Sequence, residues 1–183
     1  TELSRSDWRL ANINAMVSLV YQTVKAENKT VVFGISPQGN FSNNQKLGAD
    51  VEKWCSVRGY VDYICPQIYF GFENSSAPFD RAVAAWTAYP RHSSVRLYVG
   101  LGLYKTGVSP DAYAGGGKEE WAGHSDIMKR SVELLRANNA VTGMVFYSYS
   151  SFDAATRSPA SGQTYQEEIG RQEVENLLYL LRN

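Results

Sequence analysis

Residues 61–69 read Val-Asp-Tyr-Ile-Cys-Pro-Gln-Ile-Tyr, a short and mostly apolar run that predicts a β-strand. Residues 31–35, Val-Val-Phe-Gly-Ile, form a second run that is β-branched and is bounded by a Ser-Pro pair. Continuous apolar runs of this length are typical of strands buried on both faces of a parallel sheet. Two further runs, at residues 95–104 and 141–149, complete the set of four predicted strands.

Helical patterns fill the segments around these strands. From Asp7, which we interpret as the N-cap, a helix is predicted up to the break at Asn28. Its recurring apolar residues are Ile13, Met16, Val17, Val20 and Val24. Four more helices follow the four strands, at about residues 49–57, 79–86, 125–135 and 165–183. Because strands alternate with crossover helices, we predict an α/β fold with four parallel strands and five helices, a single (β/α)4-type domain over residues 1–183.

Length and charge narrow the class of protein. The chain has 183 residues, fewer than the roughly 250 typical of a complete eight-unit β/α barrel. Its 18 Lys and Arg residues balance 18 Asp and Glu residues, so there is no electrostatic footprint for nucleic acid. No apolar stretch reaches the roughly 18 residues that span a membrane, and residues 1–8 show no signal-peptide pattern. Cys55 and Cys65 are interpreted as free structural thiols.

Polar and aromatic residues follow each predicted strand. The carboxyl ends of parallel strands meet at one edge of the sheet, where α/β proteins bind ligands, so we expect these residues to form one site. They are Ser36, Gln38, Gln67, Tyr69, Glu73, Tyr104, Lys105, Trp121, Tyr147 and Ser148. Their aromatic and hydrogen-bonding character favours a neutral, hydroxyl-rich ligand over a phosphate or a metal. The alternative is that Tyr69, Tyr104 and Tyr147 only fill the inside of a barrel.

Other chemistries find little support in the sequence. The two histidines lie too far apart to indicate a metal site, and no cofactor is predicted. Residues 115–118, Gly-Gly-Gly-Lys, lack the rest of a phosphate loop and are interpreted as a flexible linker. Glu119 and Glu120 are interpreted as a solvated pair, so no catalytic pair of carboxylates is assigned. Asp62 is expected at the opposite, structural end of the sheet.

Five segments of the chain resemble one known family. They are residues 7–14 (Asp-Trp-Arg-Leu-Ala-Asn-Ile-Asn), 33–40 (Phe-Gly-Ile-Ser-Pro-Gln-Gly-Asn), 61–69, 97–105 (Leu-Tyr-Val-Gly-Leu-Gly-Leu-Tyr-Lys) and 143–152 (Gly-Met-Val-Phe-Tyr-Ser-Tyr-Ser-Ser-Phe). In this order and spacing they resemble the family-10-like glycosylhydrolases of bacteria, which are glycosyl hydrolase-like (β/α)8 TIM-barrel proteins. The resemblance covers essentially the whole chain and matches it to the C-terminal half of that barrel.

The resemblance implies a domain that acts on or binds polysaccharide, in a family with members linked to bacterial cell-wall glycans. It implies a location at the cell envelope or outside the cell. The family's Asp-Asp-Tyr motif would precede Thr1, and the strand that often carries a nucleophilic Glu in barrel glycosidases ends here at Leu103-Tyr104-Lys105. The catalytic carboxylates are therefore expected in the absent N-terminal half, and this chain alone is expected to be inactive.

The predicted position of the site residues at one face of the sheet suggests a role for several of them. Tyr69 and Trp121 would stack on sugar rings, while Gln67, Lys105 and Ser148 would form hydrogen bonds with sugar hydroxyls. The alternative is a non-catalytic carbohydrate-binding or pseudo-enzyme half-barrel that works only as an oligomer. The expected partners are a glycan and either the missing N-terminal half-barrel or a second copy of the chain, because half a barrel leaves sheet edges unpaired.

Overall fold

The structure, a computed structural model, describes residues 3–183. In that range the α-helices are α1 (Arg5–Glu27), α2 (Phe41–Leu47), α3 (Val51–Ser56), α4 (Phe79–Ala88), α5 (Glu120–Gly123), α6 (Ile127–Arg136) and α7 (Glu167–Arg182). The strands are β1 (Gly34–Ile35), β2 (Tyr63–Ile64), β3 (Arg96–Leu101), β4 (Val108–Ser109), β5 (Gly143–Phe146) and β6 (Thr164–Tyr165). Short 3-10 turns occur in the loops after β3 and β5, at Leu103–Lys105, Gly115–Gly117, Tyr149–Phe152 and Ala154–Thr156.

Strands β1, β2, β3 and β5 form one parallel sheet and lie side by side in the order of the chain. Gly34 aligns with Tyr63, and Tyr98 aligns with Gly143. A sequential order distinguishes a β/α barrel from a doubly wound sheet, in which the strand order reverses at a switch point. The predicted α/β class with four parallel strands is confirmed, and the arrangement is that of part of a TIM-like β/α barrel.

The loops at the carboxyl ends of the strands are more structured than predicted. Helix α2 lies in a segment predicted as a polar loop, because the Asn40 side chain caps it by accepting the N–H groups of Ser42 and Asn43. Helix α5 lies within the long loop after β3. Strands β4 and β6 pair antiparallel and join the loop after β3 to the loop after β5. The described residues therefore form seven helices where five were predicted.

Helix α1 starts earlier than predicted and is more exposed. Ser4, rather than Asp7, is its N-cap, because the Ser4 hydroxyl accepts the N–H of Asp7 at 3.1 Å. The helix ends before Asn28, as predicted. Of its apolar face, Val17 is buried, whereas Met16 is 57% exposed because no described element packs over it.

The two edges of the sheet are also exposed. The run at residues 31–35 was predicted to be buried on both faces, and this is wrong, because Val31 and Val32 are 44% and 60% exposed. Strand β1 pairs only with β2, and at the other edge β5 pairs only with β3, where Val145 is 50% exposed. Within residues 3–183, both edges lack a neighbouring strand, and unpaired strand edges favour association with further chain.

One face of the sheet builds the hydrophobic core with the helices. Alternate side chains of β3, namely Leu97, Val99 and Leu101, point to this face and are at most 1% exposed. They pack with fully buried residues of α4 such as Phe79 and Trp86. Each large side chain removed from water in this way contributes roughly 1.5–3 kcal/mol. Residues on the alternate positions face the opposite side, which we call the inner face.

Tyrosines on the inner face lie over glycines of the adjacent strand. A Cβ atom added to Gly34 would lie 2.4 Å from the Tyr63 ring, and one added to Gly143 would lie 3.1 Å from the Tyr98 ring. The two rings also meet edge-on at 5.3 Å between centroids. This close approach explains the glycine inside the apolar run of residues 31–35, because any side chain there would displace Tyr63.

The amino end of the sheet is held by Asp62, as predicted. Its carboxylate accepts the N–H of Phe33 at 2.7 Å and lies 2.7 Å from the Lys25 ammonium of α1. Burial raises the pKa of Asp62, but the hydrogen bonds from Lys25 and Phe33 outweigh it and leave the pKa below its usual value. The interpretation of Cys55 and Cys65 as free thiols is confirmed, since both are buried and unpaired.

Candidate functional site

A row of amide side chains lies at the carboxyl ends of the strands. Gln38, Gln67 and Gly100 are neighbours through two parallel β-bridges that extend the sheet beyond its named strands. The Gln67 amide donates to the Ser36 carbonyl at 3.2 Å. The buried Asn44 side chain accepts the Gln38 N–H at 3.0 Å and donates to the Gln38 carbonyl at 2.8 Å, which holds this loop in place.

Three tyrosines that follow different strands meet beside this row, and we call them the tyrosine cluster. The Tyr69 and Tyr147 rings stack with their centroids 6.1 Å apart. Tyr104 meets both rings edge-on, with centroid distances of 5.9 Å. Aromatic rings prefer such offset and edge-on arrangements, so the three rings stabilise one another. Tyr104 and Tyr147 nevertheless remain 42% and 58% exposed, which leaves ring surface available to a ligand.

The hydroxyls of Tyr69 and Tyr104 stay protonated over the whole neutral range, because their pKa values are raised. Burial, followed by Cys65 and the two neighbouring phenols, raises the pKa of Tyr69 to about 12. Burial, then Asp111 and Tyr147, also raise the pKa of Tyr104. A protonated phenol both donates and accepts a hydrogen bond, as a sugar hydroxyl does. The cluster therefore offers apolar ring faces together with matched polar groups.

A neutralised ion pair lies next to Tyr69. The Lys105 ammonium lies 2.7 Å from the Asp111 carboxylate and donates to the Tyr69 carbonyl at 2.8 Å. Both side chains are mostly buried, at 18% and 8% exposure. Because each charge has a partner, the pair adds hydrogen-bonding capacity without adding net charge.

These residues surround a cleft of about 590 Å³, which we call the main cleft. Its wall consists of amide, hydroxyl and aromatic side chains with the one ion pair: Gln38, Asn40, Asn43, Gln67, Tyr69, Phe70, Asn74, Ser76, Lys105, Asp111 and Tyr113. Binding clefts commonly combine apolar surface with a few convergent polar groups. Such a wall suits an uncharged ligand that presents hydroxyl groups and apolar ring faces.

A second recess of about 360 Å³ borders the tyrosine cluster at Tyr104. Tyr104 and Ser148 line it together with residues of the loop after β5. The Ser148 and Ser150 hydroxyls lie 2.8 Å apart in its wall. Arg157 holds the loop to the rest of the domain by donating to the Thr106 and Ser151 carbonyls.

The structure corrects the role predicted for Trp121. Its side chain is 1% exposed in the hydrophobic core, where no sugar ring can reach it. The Lys105 ammonium lies 5.9 Å from the centre of the Trp121 ring, so a cation–π attraction joins Trp121 to the ion pair. Glu73 is not brought into the main cleft either, because its carboxylate faces His124 at 3.6 Å. Ser36 contacts the site through its carbonyl group, which accepts a hydrogen bond from Gln67.

Glu120 and the glycine run are structural, which contradicts two interpretations from the sequence, whereas Glu119 is exposed as expected. Glu120 is 3% exposed rather than solvated, and its carboxylate accepts the N–H groups of Phe72 and Glu73 at 2.8 and 2.9 Å. Residues 115–117 form a packed 3-10 turn rather than a flexible linker. A Cβ atom on Gly117 would lie 2.4 Å from the Glu73 carbonyl oxygen, so only glycine lets these two loops pack.

Several residues of the main cleft were missed from the sequence. Asn43 donates to the Gln38 side chain at 3.0 Å and lies on α2, whose capping residue Asn40 was a readable signal. Asn74 is 3% exposed and accepts the N–H groups of Ser76 and Ala77, so it shapes the wall of the cleft. Its role depends on packing between loops, which no local pattern encodes.

Residues that could hold a metal ion do not cluster in the described part of the chain. No group of three or more His, Cys, Asp and Glu side chains with suitable geometry occurs within residues 3–183. Asp111 is the only carboxylate in the wall of the main cleft over this range, and Lys105 already binds it. None of the described helices is long and apolar enough to cross a membrane.

The fold and the cleft together define the class of protein. A sequential parallel sheet with its cleft at the carboxyl ends of the strands is the plan of a β/α-barrel protein. A family model described as glycosyl hydrolase-like 10 matches residues 2–114. The chain belongs to this family, as its sequence motifs indicated, and it is a glycosyl hydrolase-like domain.

Curated relatives agree with this family. Glycosyl hydrolase DigH of Escherichia coli (strain K12) is 30% identical over 163 residues, which cover 79% of this chain and 35% of the relative. Glycosyl hydrolase YngK of Bacillus subtilis (strain 168) is 31% identical over 158 residues, which cover 78% of this chain and 29% of the relative. The chain thus spans about a third of the length of the curated relatives that it matches.

Proposed function

We propose that this chain supplies the polysaccharide-binding part of a glycoside hydrolase, and that the catalytic carboxylates belong to a preceding half-barrel. The main cleft carries the proposal, because its wall presents ring faces and amides and contains one neutralised ion pair. We further propose that the protein works at the cell envelope or outside the cell, on the basis of the family resemblance.

In this proposal each group of the wall has a defined task. The Tyr69 ring stacks on a sugar face, because the C–H groups of a sugar ring are apolar and an aromatic ring offers a matching surface. The amide of Gln67 and the ammonium of Lys105 hydrogen-bond sugar hydroxyls, since an amide both donates and accepts while an ammonium donates. The Ser148 hydroxyl forms hydrogen bonds with sugar hydroxyls in the second recess.

The proposal assigns the chemical step to residues outside this chain. Glycoside hydrolysis uses two carboxyl groups about 5–9.5 Å apart, one of which must act as an acid. Asp111 is the single carboxylate that lines the main cleft over residues 3–183, so the described residues offer no pair of carboxylates there. The exposed edges at β1 and β5 are where a preceding half-barrel would add its strands.

The release of reducing ends tests whether the catalytic carboxylates lie outside this chain. We expect the full-length gene product to release reducing ends from peptidoglycan-derived or plant polysaccharides, and residues 1–183 alone to release none, because they lack a free carboxylate pair in the cleft. Release by the short chain alone would contradict the assignment. Absence of release by both, with self-association of the short chain in light scattering, would favour the alternative of a non-catalytic binding half-barrel that works as an oligomer.

Replacing Tyr69 tests the binding role of the main cleft. We expect Tyr69→Ala to weaken polysaccharide binding by the full-length gene product at least tenfold, because the substitution removes a stacking face and unsettles the tyrosine cluster. Tyr69→Phe keeps the ring and should retain most of the affinity. Calorimetric titration with a soluble polysaccharide measures both. Tyr179→Ala, which removes a 71% exposed ring on α7, is the matched control and should change nothing.

A further inference from the structure

The tyrosine cluster borders two recesses, each of which is lined by one of its rings. Tyr69 lines the main cleft, Tyr104 lines the second recess, and their ring centroids are 5.9 Å apart. Both recesses lie in loops at the carboxyl ends of the parallel strands. A ligand that occupies one recess and crosses these rings therefore reaches the other.

Two tyrosines with almost fully exposed rings lie at the outer parts of these recesses. Tyr113 lines the main cleft and is 91% exposed. Tyr149 is 90% exposed and lies between Ser148 and Ser150, which both line the second recess. A large aromatic ring gains free energy when its apolar surface is removed from water, so two such exposed rings beside neighbouring recesses indicate a ligand that covers them.

The loops that carry both rings are held in place. The Asp111 carboxylate, fixed by Lys105, accepts the Tyr113 N–H at 3.4 Å. On the other side, Tyr149 starts a 3-10 turn, and its ring lies 6.5 Å from that of Phe152. Rings on anchored backbone lose little conformational entropy when a ligand binds, which favours a binding role over chance exposure.

We propose that the two recesses form one groove for an extended, uncharged glycan chain, with Tyr113 and Tyr149 as its outer stacking platforms. This inference deepens the proposed function and rests on it, because the tyrosine cluster lies in the middle of the groove. The ligand class is an internal stretch of a polysaccharide, since a single sugar or a disaccharide would leave at least one of the outer rings uncovered.

The charged groups along the groove already have hydrogen-bonding partners, which agrees with an uncharged glycan as the ligand. In the main cleft the Lys105 ammonium is matched by Asp111. Among the described residues, Arg157 is the only charged one in the wall of the second recess, and its terminal nitrogens already donate to Thr106 and Ser151. The other polar groups there are hydroxyls and the amide of Gln163, which suit sugar hydroxyls.

The dependence of affinity on chain length tests this inference. We expect the full-length gene product to bind cello- or chito-oligosaccharides more tightly as length increases from disaccharide to hexasaccharide. Tyr113→Ala and Tyr149→Ala should each weaken hexasaccharide binding about tenfold and leave disaccharide binding within about twofold, because only the long chain reaches the outer rings. Tyr113→Phe and Tyr149→Phe should restore the hexasaccharide affinity. Tyr179→Ala is again the exposed control.

The outcomes separate this inference from the proposed function. Equal affinity of the unaltered protein for disaccharide and hexasaccharide, or hexasaccharide binding unchanged in both alanine variants, overturns the extended groove and leaves the main cleft as proposed. Failure to bind either oligosaccharide series overturns both proposals. Thermal unfolding of each variant guards against misfolding, and since both rings are at least 90% exposed, we expect unchanged melting temperatures.

Discussion

Replacing Trp86 by alanine is expected to lower the free energy of unfolding by about 4 kcal/mol, the range for a large aromatic side chain removed from a core. Trp86 is 0% exposed and stacks on Phe41 with ring centroids 4.1 Å apart. Its indole N–H also donates to the Gly39 carbonyl at 2.7 Å. The substitution thus leaves a cavity and an unpaired carbonyl in the loop that carries Gln38.

Urea unfolding of the chain measures this loss, with Tyr179→Ala as the matched removal of an exposed ring. The control should stay within about 0.5 kcal/mol of the unaltered chain. Because Gly39 borders the main cleft, Trp86→Ala should also weaken polysaccharide binding by the full-length gene product. A loss below about 1 kcal/mol would show that the site collapses around the missing ring, contrary to the packing described.

Glu173 is expected to make the chain less stable as the pH rises. Its side chain is 0% exposed on α7 and accepts the N–H of Met128 at the start of α6. Burial raises the pKa of Glu173 to about 7, and Asp126 acts in the same direction, while the N–H groups of Met128 and Ile127 and the Arg157 guanidinium act against it.

The sign of the effect follows from proton binding. A carboxyl whose pKa is higher in the folded chain than in the unfolded chain binds protons more readily when folded. Its contribution to stability is therefore complete below the unfolded pKa of 4.5 and is lost as the pH rises through about 7. The difference in pKa corresponds to about 3 kcal/mol across this window.

Glu173→Gln should remove this dependence. We expect the variant to be more stable than the unaltered chain near pH 8 and to show a flatter stability profile between pH 5 and pH 8, because an amide carries no charge to bury. Urea unfolding at both pH values measures the profile. Glu133→Gln, an exposed substitution on α6, should leave the profile unchanged. Parallel profiles for the chain and Glu173→Gln would contradict the assignment.

Local sequence patterns predicted most of the fold. Four short apolar runs predicted the four parallel strands, because strand formation depends on neighbouring residues and on turn residues that bound each run. The breaks at Asn28 and after Ile35 were readable for the same reason. Helix α2 was missed although Asn40 is a standard cap, since its seven residues lack an apolar face of helical period.

The candidate site was predicted in outline and corrected in detail. Gln38, Gln67 and Tyr69 meet because parallel strands bring their carboxyl ends together, which follows from the order of elements alone. The roles of Trp121 and Glu120 were predicted wrongly because both residues follow a strand in sequence, yet their side chains are buried rather than exposed in the loop. Whether a loop residue faces a cleft or the core depends on packing between loops.

By itself, the amino-acid sequence determined the class of fold, the family and the chemical character of the strand ends, because these depend on local periodicity and residue type. Only the tertiary structure decided which residues line the cleft, that Lys105 is neutralised by Asp111, and that Glu120 binds two backbone N–H groups. The physical reason is that burial and hydrogen bonding are set by contacts between residues distant in the chain, such as Glu120 and Phe72.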